Sequence, residues 1–196
     1  AKLLPILIFT ISIFELFRFG WKFTPFSVKE FVFPTTPVIE FLQKNRGDYR
    51  VTGEDVIPIN LMMPYKIQTL EGYDAVYPLR TAKYLSVLNS GNANSNPSGR
   101  YGSVNNLDSN LLNLVCVKYV LALKRDKIRS VDENGSIPDE FRKPFLIPAF
   151  EDKSVVVLEN KLVTERVGMF YDWEVISEEK QILERLSSKN FPNGKK

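Results

Sequence analysis

The polar chemistry of this sequence gathers in one short stretch. Tyr65, Tyr73, Asp74, Tyr77 and Arg80 fall within sixteen residues, with Glu71 among them and Lys83 and Tyr84 just after. Tyrosine rings offer faces for the C–H surfaces of sugars, and the hydroxyls, carboxylate and guanidinium offer hydrogen bonds to hydroxyl groups. Arg80 matters most, because a guanidinium bonds two oxygens of a phosphate or of a hydroxyl pair at once. These five are the candidate substrate-binding residues. The structural alternative is a loop held on the domain by tyrosine hydroxyls and an Asp cap.

Other constellations fail. The 196 residues include no histidine, which removes Ser-His-Asp triads, Cys-His dyads and His-based metal sites. Cys116 is the one cysteine, so there is neither an intrachain disulfide nor a Cys-rich zinc site. No P-loop, no G-x-G-x-x-G and no carboxylate cluster at metal spacing occurs. No catalytic residue, metal or cofactor is therefore expected. Cys116 sits in an apolar run and reads as a buried small hydrophobe. Glu178 and Glu179 complement a helix dipole. Asn134-Gly135-Ser136 fits a glycosylation acceptor, but a plain turn explains it equally. Lys and Arg number 26 against 23 Asp and Glu. That balance of +3, spread over both signs, excludes the footprint of a nucleic-acid binder.

The elements that must position these residues follow from pattern. Thr36 caps a short helix with Pro37 in its first turn, and Gly47-Asp48 ends it. Tyr49–Thr52 reads as a strand, and Lys66–Leu70 as a weak one. Pro78 opens a helix to about Leu88. Residues 89–103, rich in Asn, Ser and Gly, read as a mobile surface loop. Asp108 is a good N-cap for a short apolar helix at Leu111–Val115. Val117–Leu123 is β-branched, aromatic and nearly all apolar, the signature of a central strand covered on both faces. Phe145–Phe150, Ser154–Leu158 and Arg166–Trp173 are further strand candidates. Ser177 caps a last helix, and the end from Phe191 reads as frayed. Strands and helices mix without strict alternation. The expected fold is α/β with mixed α+β character, a mixed sheet covered by helices.

The amino terminus is different in kind. Leu3–Phe14 holds twelve residues without a charge. As a helix they span about 18 Å, short of the roughly 30 Å of a bilayer core. A signal peptide would use Lys2 as its basic start, but no small-x-small cleavage site follows. A buried core helix is the second possibility. The third is the end of a transmembrane helix over residues 1–20, cut by the fragment boundary. Phe17, Phe19, Trp21, Phe23 and Phe26 around Arg18 and Lys22 suit a membrane–water interface and favour that third reading. Residues 21–196 would then form the α/β domain.

In order, these segments resemble the soluble part of bacterial YfhO-type membrane proteins, multi-pass proteins related to GT-C glycosyltransferases. The matching pieces are Phe14–Gly20, Thr36–Leu42, Tyr49-Arg50-Val51, Gly72-Tyr73-Asp74 with the Tyr77–Leu85 helix, Leu111–Val120, Leu158-Glu159-Asn160, Arg166–Phe170 and Glu178–Leu186. After the Glu-Asn pair the family usually carries a Leu-Pro-Arg-Ala type sequence, where this chain has Val163–Val167. The resemblance implies an extracytoplasmic domain of a membrane-embedded glycosyltransferase-like protein with a polyprenyl-phosphate sugar donor. In such proteins the catalytic acid lies on an early external loop, which this chain does not include. The fragment alone would be inactive, shaping the outer wall of the site or binding the acceptor. The implied partners are the lipid bilayer, upstream membrane helices and a lipid-linked sugar or cell-envelope glycan. A structural or interaction module of a multi-pass membrane protein is the alternative, and a free soluble binding protein with a hydrophobic arm is a third.

Overall fold

Val117–Leu123 organises the fold because its side chains are apolar on both sides of the backbone. A computed structural model describes residues 3–23, 27–97, 99–188 and 190–191. Lys2, Phe26 and the tail from Pro192 lie outside the described residues. The chain divides into residues 1–35 and residues 36–196.

In the larger unit the strands are β1 (Arg50–Thr52), β2 (Gly72–Tyr73), β3 (Tyr101–Gly102), β4 (Val117–Leu123), β5 (Leu146–Asp152) and β6 (Val155–Asn160). One four-stranded sheet has the order β1-β4-β6-β5, and β2 pairs with β3 in a small second sheet. β1 runs parallel to β4, while β4–β6 and β5–β6 are antiparallel. The sheet is therefore mixed, with β4 in its interior as its composition requires.

A bulge distributes β4 between two cores. Arg50 pairs with Val117 but Val51 pairs with Tyr119, so β4 carries one extra residue, Lys118. Val117, Val120 and Ala122 join Val156 and Leu158 in one core; Tyr119, Leu121 and Val157 join the other. Without the bulge, Val117 and Tyr119 would share a face. Lys118 uses the position to reach over two rings, 5.1 Å from the centroid of Tyr49 and 5.2 Å from that of Tyr119.

Helices cover both faces. α2 (Pro37–Asn45) places Val38, Ile39 and Leu42 on the second core. Its cap is as expected: the Thr36 hydroxyl accepts from the Ile39 N–H at 3.4 Å, and Pro37 occupies the first turn. α3 (Leu79–Ser90) and α4 (Asn110–Leu114) bring Leu85, Val87, Leu88, Leu111 and Leu112 to the first core. Leu183 and Leu186 of α5 (Glu179–Ser187) pack against its margin.

Several details differ from expectation. Ser109 and Glu178, not Asp108 and Ser177, stand at the cap positions of α4 and α5. Asp108 instead takes an ion pair from Lys143. Lys66–Leu70 contributes only one isolated bridge, Thr69 to Val51. Arg166–Trp173 is not a strand; its residues carry neither helix nor ladder. The expected loop is shorter than residues 89–103, since Asn89 and Ser90 end α3 and Tyr101-Gly102 form β3.

In the smaller unit α1 spans Leu3–Phe23, 21 residues. At 1.5 Å per residue that is about 31 Å, enough for a bilayer core. The helix runs through Glu15, Arg18 and Lys22, well past the uncharged run, and Glu15 pairs with Arg18 at 3.3 Å. None of its residues is buried. By length and composition α1 can cross a membrane, and a signal sequence has the same properties.

Candidate functional site

β1 and β4 are parallel, so their carboxyl ends lie side by side, the place where open sheets put ligands. The chain leaves β1 through Gly53, whose φ of +143° is open to glycine only. Glu71 closes this end. Its carboxylate accepts from the Thr52 hydroxyl at 2.7 Å and from the Gly53 N–H at 2.9 Å, and the residue is buried. It lines a cavity of about 100 Å³ with Glu54, Asp55, Asn105 and Phe141.

Burial pushes the Glu71 carboxyl above its ordinary value of 4.5; the bonds from Thr52 and Gly53 pull it partly back, and nearby Glu54 adds to the rise. Burial, with Asp55, also raises Glu54. A carboxyl whose folded value exceeds its unfolded one keeps its proton longer in the folded state. Its contribution to stability is complete below about 4.5 and is lost as pH climbs through the raised value. Relative to Glu71→Gln, which does not titrate, the wild type is expected to lose stability over that window. Urea midpoints of both proteins against pH check it, and a flat difference would show that Glu71 titrates normally.

The small sheet presents the aromatic residues. Tyr73 on β2 and Tyr101 on β3 are directly paired, with ring centroids 4.7 Å apart and planes tilted by 36°. Both side chains remain exposed. Asn60 fixes Tyr73 from the other side: its amide donates to the Tyr73 carbonyl at 2.8 Å and accepts from the Tyr73 N–H at 3.2 Å. Asn89 fixes the segment after Tyr101 in the same way, donating to the Ser103 carbonyl and accepting from the Asn105 N–H. Two cavities flank the ring pair. One is a shallow, open depression bordered by Glu54, Asp55, Pro58, Ile59 and both rings. The other, about 350 Å³, lies between Tyr101, Tyr77, Ser103, Asn105 and the Ala82–Ser90 side of α3. The result is a surface with a tilted pair of packed tyrosine rings, the platform, at its centre, carboxylates on one side and hydroxyl and amide groups on the other.

The five candidates do not form one cluster. Tyr73 sits on the platform and Tyr77 lines the second cavity. The Tyr77 hydroxyl is buried against Gly102 without a hydrogen-bond partner, and burial raises its pKa. Tyr65 packs against the second core, where its carbonyl accepts from Gln43 at 3.1 Å. Asp74 turns its carboxylate back to the Val76 N–H at 2.9 Å, a local turn contact. Arg80 is exposed beside Glu179, which takes a 2.7 Å bond from Lys83. That bond, with the charges of Lys83 and Arg80, lowers the Glu179 pKa. Arg80 and Lys83 thus lie alongside the amino end of α5.

Tyr101 is new to the site, and so is the buried role of Glu71. Tyr101 lies in the Asn/Ser/Gly-rich stretch read as a loop, and its one signal was being the large aromatic there. Glu71 was visible beside Tyr73, but nothing in a sequence separates a buried carboxylate from a solvated one. Among the described residues no group of His, Cys, Asp and Glu could hold a metal ion. Comparison with known proteins matches the chain to no family model, no curated protein and no solved structure. Function is therefore read from the platform and its flanking cavities.

Proposed function

We propose that the chain supplies the saccharide-holding domain of a membrane-anchored, glycosyltransferase-like protein with a polyprenyl-phosphate sugar donor. The domain lies on the extracytoplasmic side and holds an acceptor glycan; it does not itself transfer sugar. One observation carries the reading: Tyr73 and Tyr101 form an exposed pair of tilted, mutually packed rings with carboxylates on one side and hydroxyls on the other. Such a surface matches a sugar, whose axial C–H groups are apolar and whose rim is a ring of donors and acceptors. The apolar helix α1 supports the membrane part of the reading. The YfhO-type resemblance supports the donor and the side of the membrane.

The test is titration of the full chain, in detergent micelles, with neutral, amino and acidic oligosaccharides. Tyr101→Ala is expected to weaken the best binder about tenfold, or 1.4 kcal/mol. Tyr171→Ala, whose ring borders neither cavity, is expected to leave it unchanged. A second reading, an interaction module without transferase activity, is favoured by Tyr65, Asp74 and Arg80 being engaged with the protein's own groups. Equal affinities for wild type and Tyr101→Ala, or no saccharide bound at all, would decide for it.

A further inference from the structure

The segment between β6 and α5 leaves its apolar side chains uncovered. Val167, Met169, Phe170, Tyr171, Trp173 and Val175 are each at least 75% exposed. Large exposed apolar residues elsewhere in this unit, such as Leu61, Val76 and Ile128, are scattered, which is ordinary for a surface. Here six fall within nine residues, and such concentration marks an interaction surface. The ribbon is also held at both ends. Arg166 donates to the Asp48 carbonyl and the Gln68 side chain, and Arg185 of α5 donates to the Glu174 carboxylate.

The side-chain types identify the partner. Trp and Tyr have an apolar body and a polar edge and collect at the headgroup level of bilayers, and Phe, Met and Val favour its acyl side. A bilayer is at hand if α1 spans one. We propose that residues 167–175 are a membrane-docking ribbon that seats this domain in the interfacial layer of the bilayer crossed by α1. The inference rests on the reading of α1 as a membrane span. Between 165 and 178 the carboxylates Glu165, Asp172, Glu174 and Glu178 outnumber Arg166. Seating is thus driven by aromatic partition and needs no anionic lipid.

The test uses the full chain with Trp21→Phe, which leaves Trp173 as the one tryptophan. The protein is reconstituted into phosphatidylcholine vesicles with and without bromine on the acyl chains near the headgroup. Trp173 emission is expected to shift to the blue and to be quenched about twofold by the brominated lipid. Phe170→Ser with Met169→Ser is expected to reduce that quenching while leaving the circular dichroism unchanged. A chain that floats with the vesicles but keeps water-like, unquenched emission overturns the docking ribbon alone. Blue-shifted but unquenched emission means that protein covers Trp173, and it also overturns the proposal. A chain that fails to float overturns the reading of α1 and the ribbon together.

Discussion

Gly53→Ala is expected to destabilise the domain by about 3–5 kcal/mol, combining backbone strain with overpacking of the core. The new methyl group would stand 2.5 Å from the Leu121 Cβ and 3.0 Å from the Leu121 carbonyl oxygen. Leu121 lies in β4 at the centre of the sheet and cannot retreat. The φ of +143° adds strain for any residue with a Cβ. In a unit of this size the midpoint of thermal unfolding should fall by roughly 10 °C. Gly91→Ala is the comparison. Its φ is +69°, but nothing lies within 4 Å of the added methyl, so about 1–2 kcal/mol is expected. Thermal melts followed by circular dichroism measure both, and similar losses would refute the packing argument. Because Gly53 also donates to Glu71, the substitution should disturb the end of β1, where the carboxylates border the platform.

Removing the Asn160 side chain is the second large expected effect. Asn160 is completely buried at the end of β6. Its amide donates to the Asn113 side-chain oxygen at 2.7 Å and to the Val117 carbonyl at 3.0 Å, and accepts from the Leu162 N–H at 2.9 Å. Asn113, also buried, accepts through its carbonyl from the Thr164 hydroxyl at 2.7 Å. Together these bonds tie α4, β4 and β6 to the turn after β6. Asn160→Ala strands three polar groups that were satisfied, at about 1–3 kcal/mol each, so a loss of about 4 kcal/mol is expected. Asn160→Asp keeps the acceptor for Leu162 but turns a carboxylate toward two oxygens. Its pKa would be raised, so the variant should recover stability in acid and lose it as pH rises. Urea unfolding of both variants at acid and neutral pH distinguishes them. An Asp variant indifferent to pH would mean that water reaches the network.

Some of this was legible in the sequence. β4 was, because a run apolar on both sides has one stable place, between two covered faces. The cap of α2 was, because Thr before Pro satisfies an open N–H and fixes the first turn at once. Asp108 and Ser177 were misplaced because several adjacent residues are competent caps and tertiary contacts choose among them; Asp108 is drawn to Lys143. Arg166–Trp173 has the residue types of a strand, but a strand needs an edge to pair with, and composition does not reveal the edge. Tyr65 and Tyr73 are near neighbours in sequence, yet one packs on a core and the other on the platform, since the chain turns directly after Tyr65 at Lys66, whose φ is positive. Tyr101 came to Tyr73 only through the pairing of β2 with β3, a long-range contact without a local signal.

The order of strands in the sheet has a consequence for how the chain acquires its structure. β5 and β6 are joined by a tight turn at Lys153-Ser154, so their pairing closes a short loop and forms early. β4 must then cross the intervening segment to reach β6. β1 joins last, because its partner lies far along the chain and the entropy of closing that loop must be met before any pairing is gained. During synthesis β1 leaves the ribosome long before β4 exists, and Arg50–Thr52 waits without a partner. The groove beside Glu71, which needs β1 on β4, is therefore expected to assemble after the β5–β6 pair. A chain stalled before Val117 would expose α2 with its apolar face uncovered, the state most open to proteolysis and aggregation.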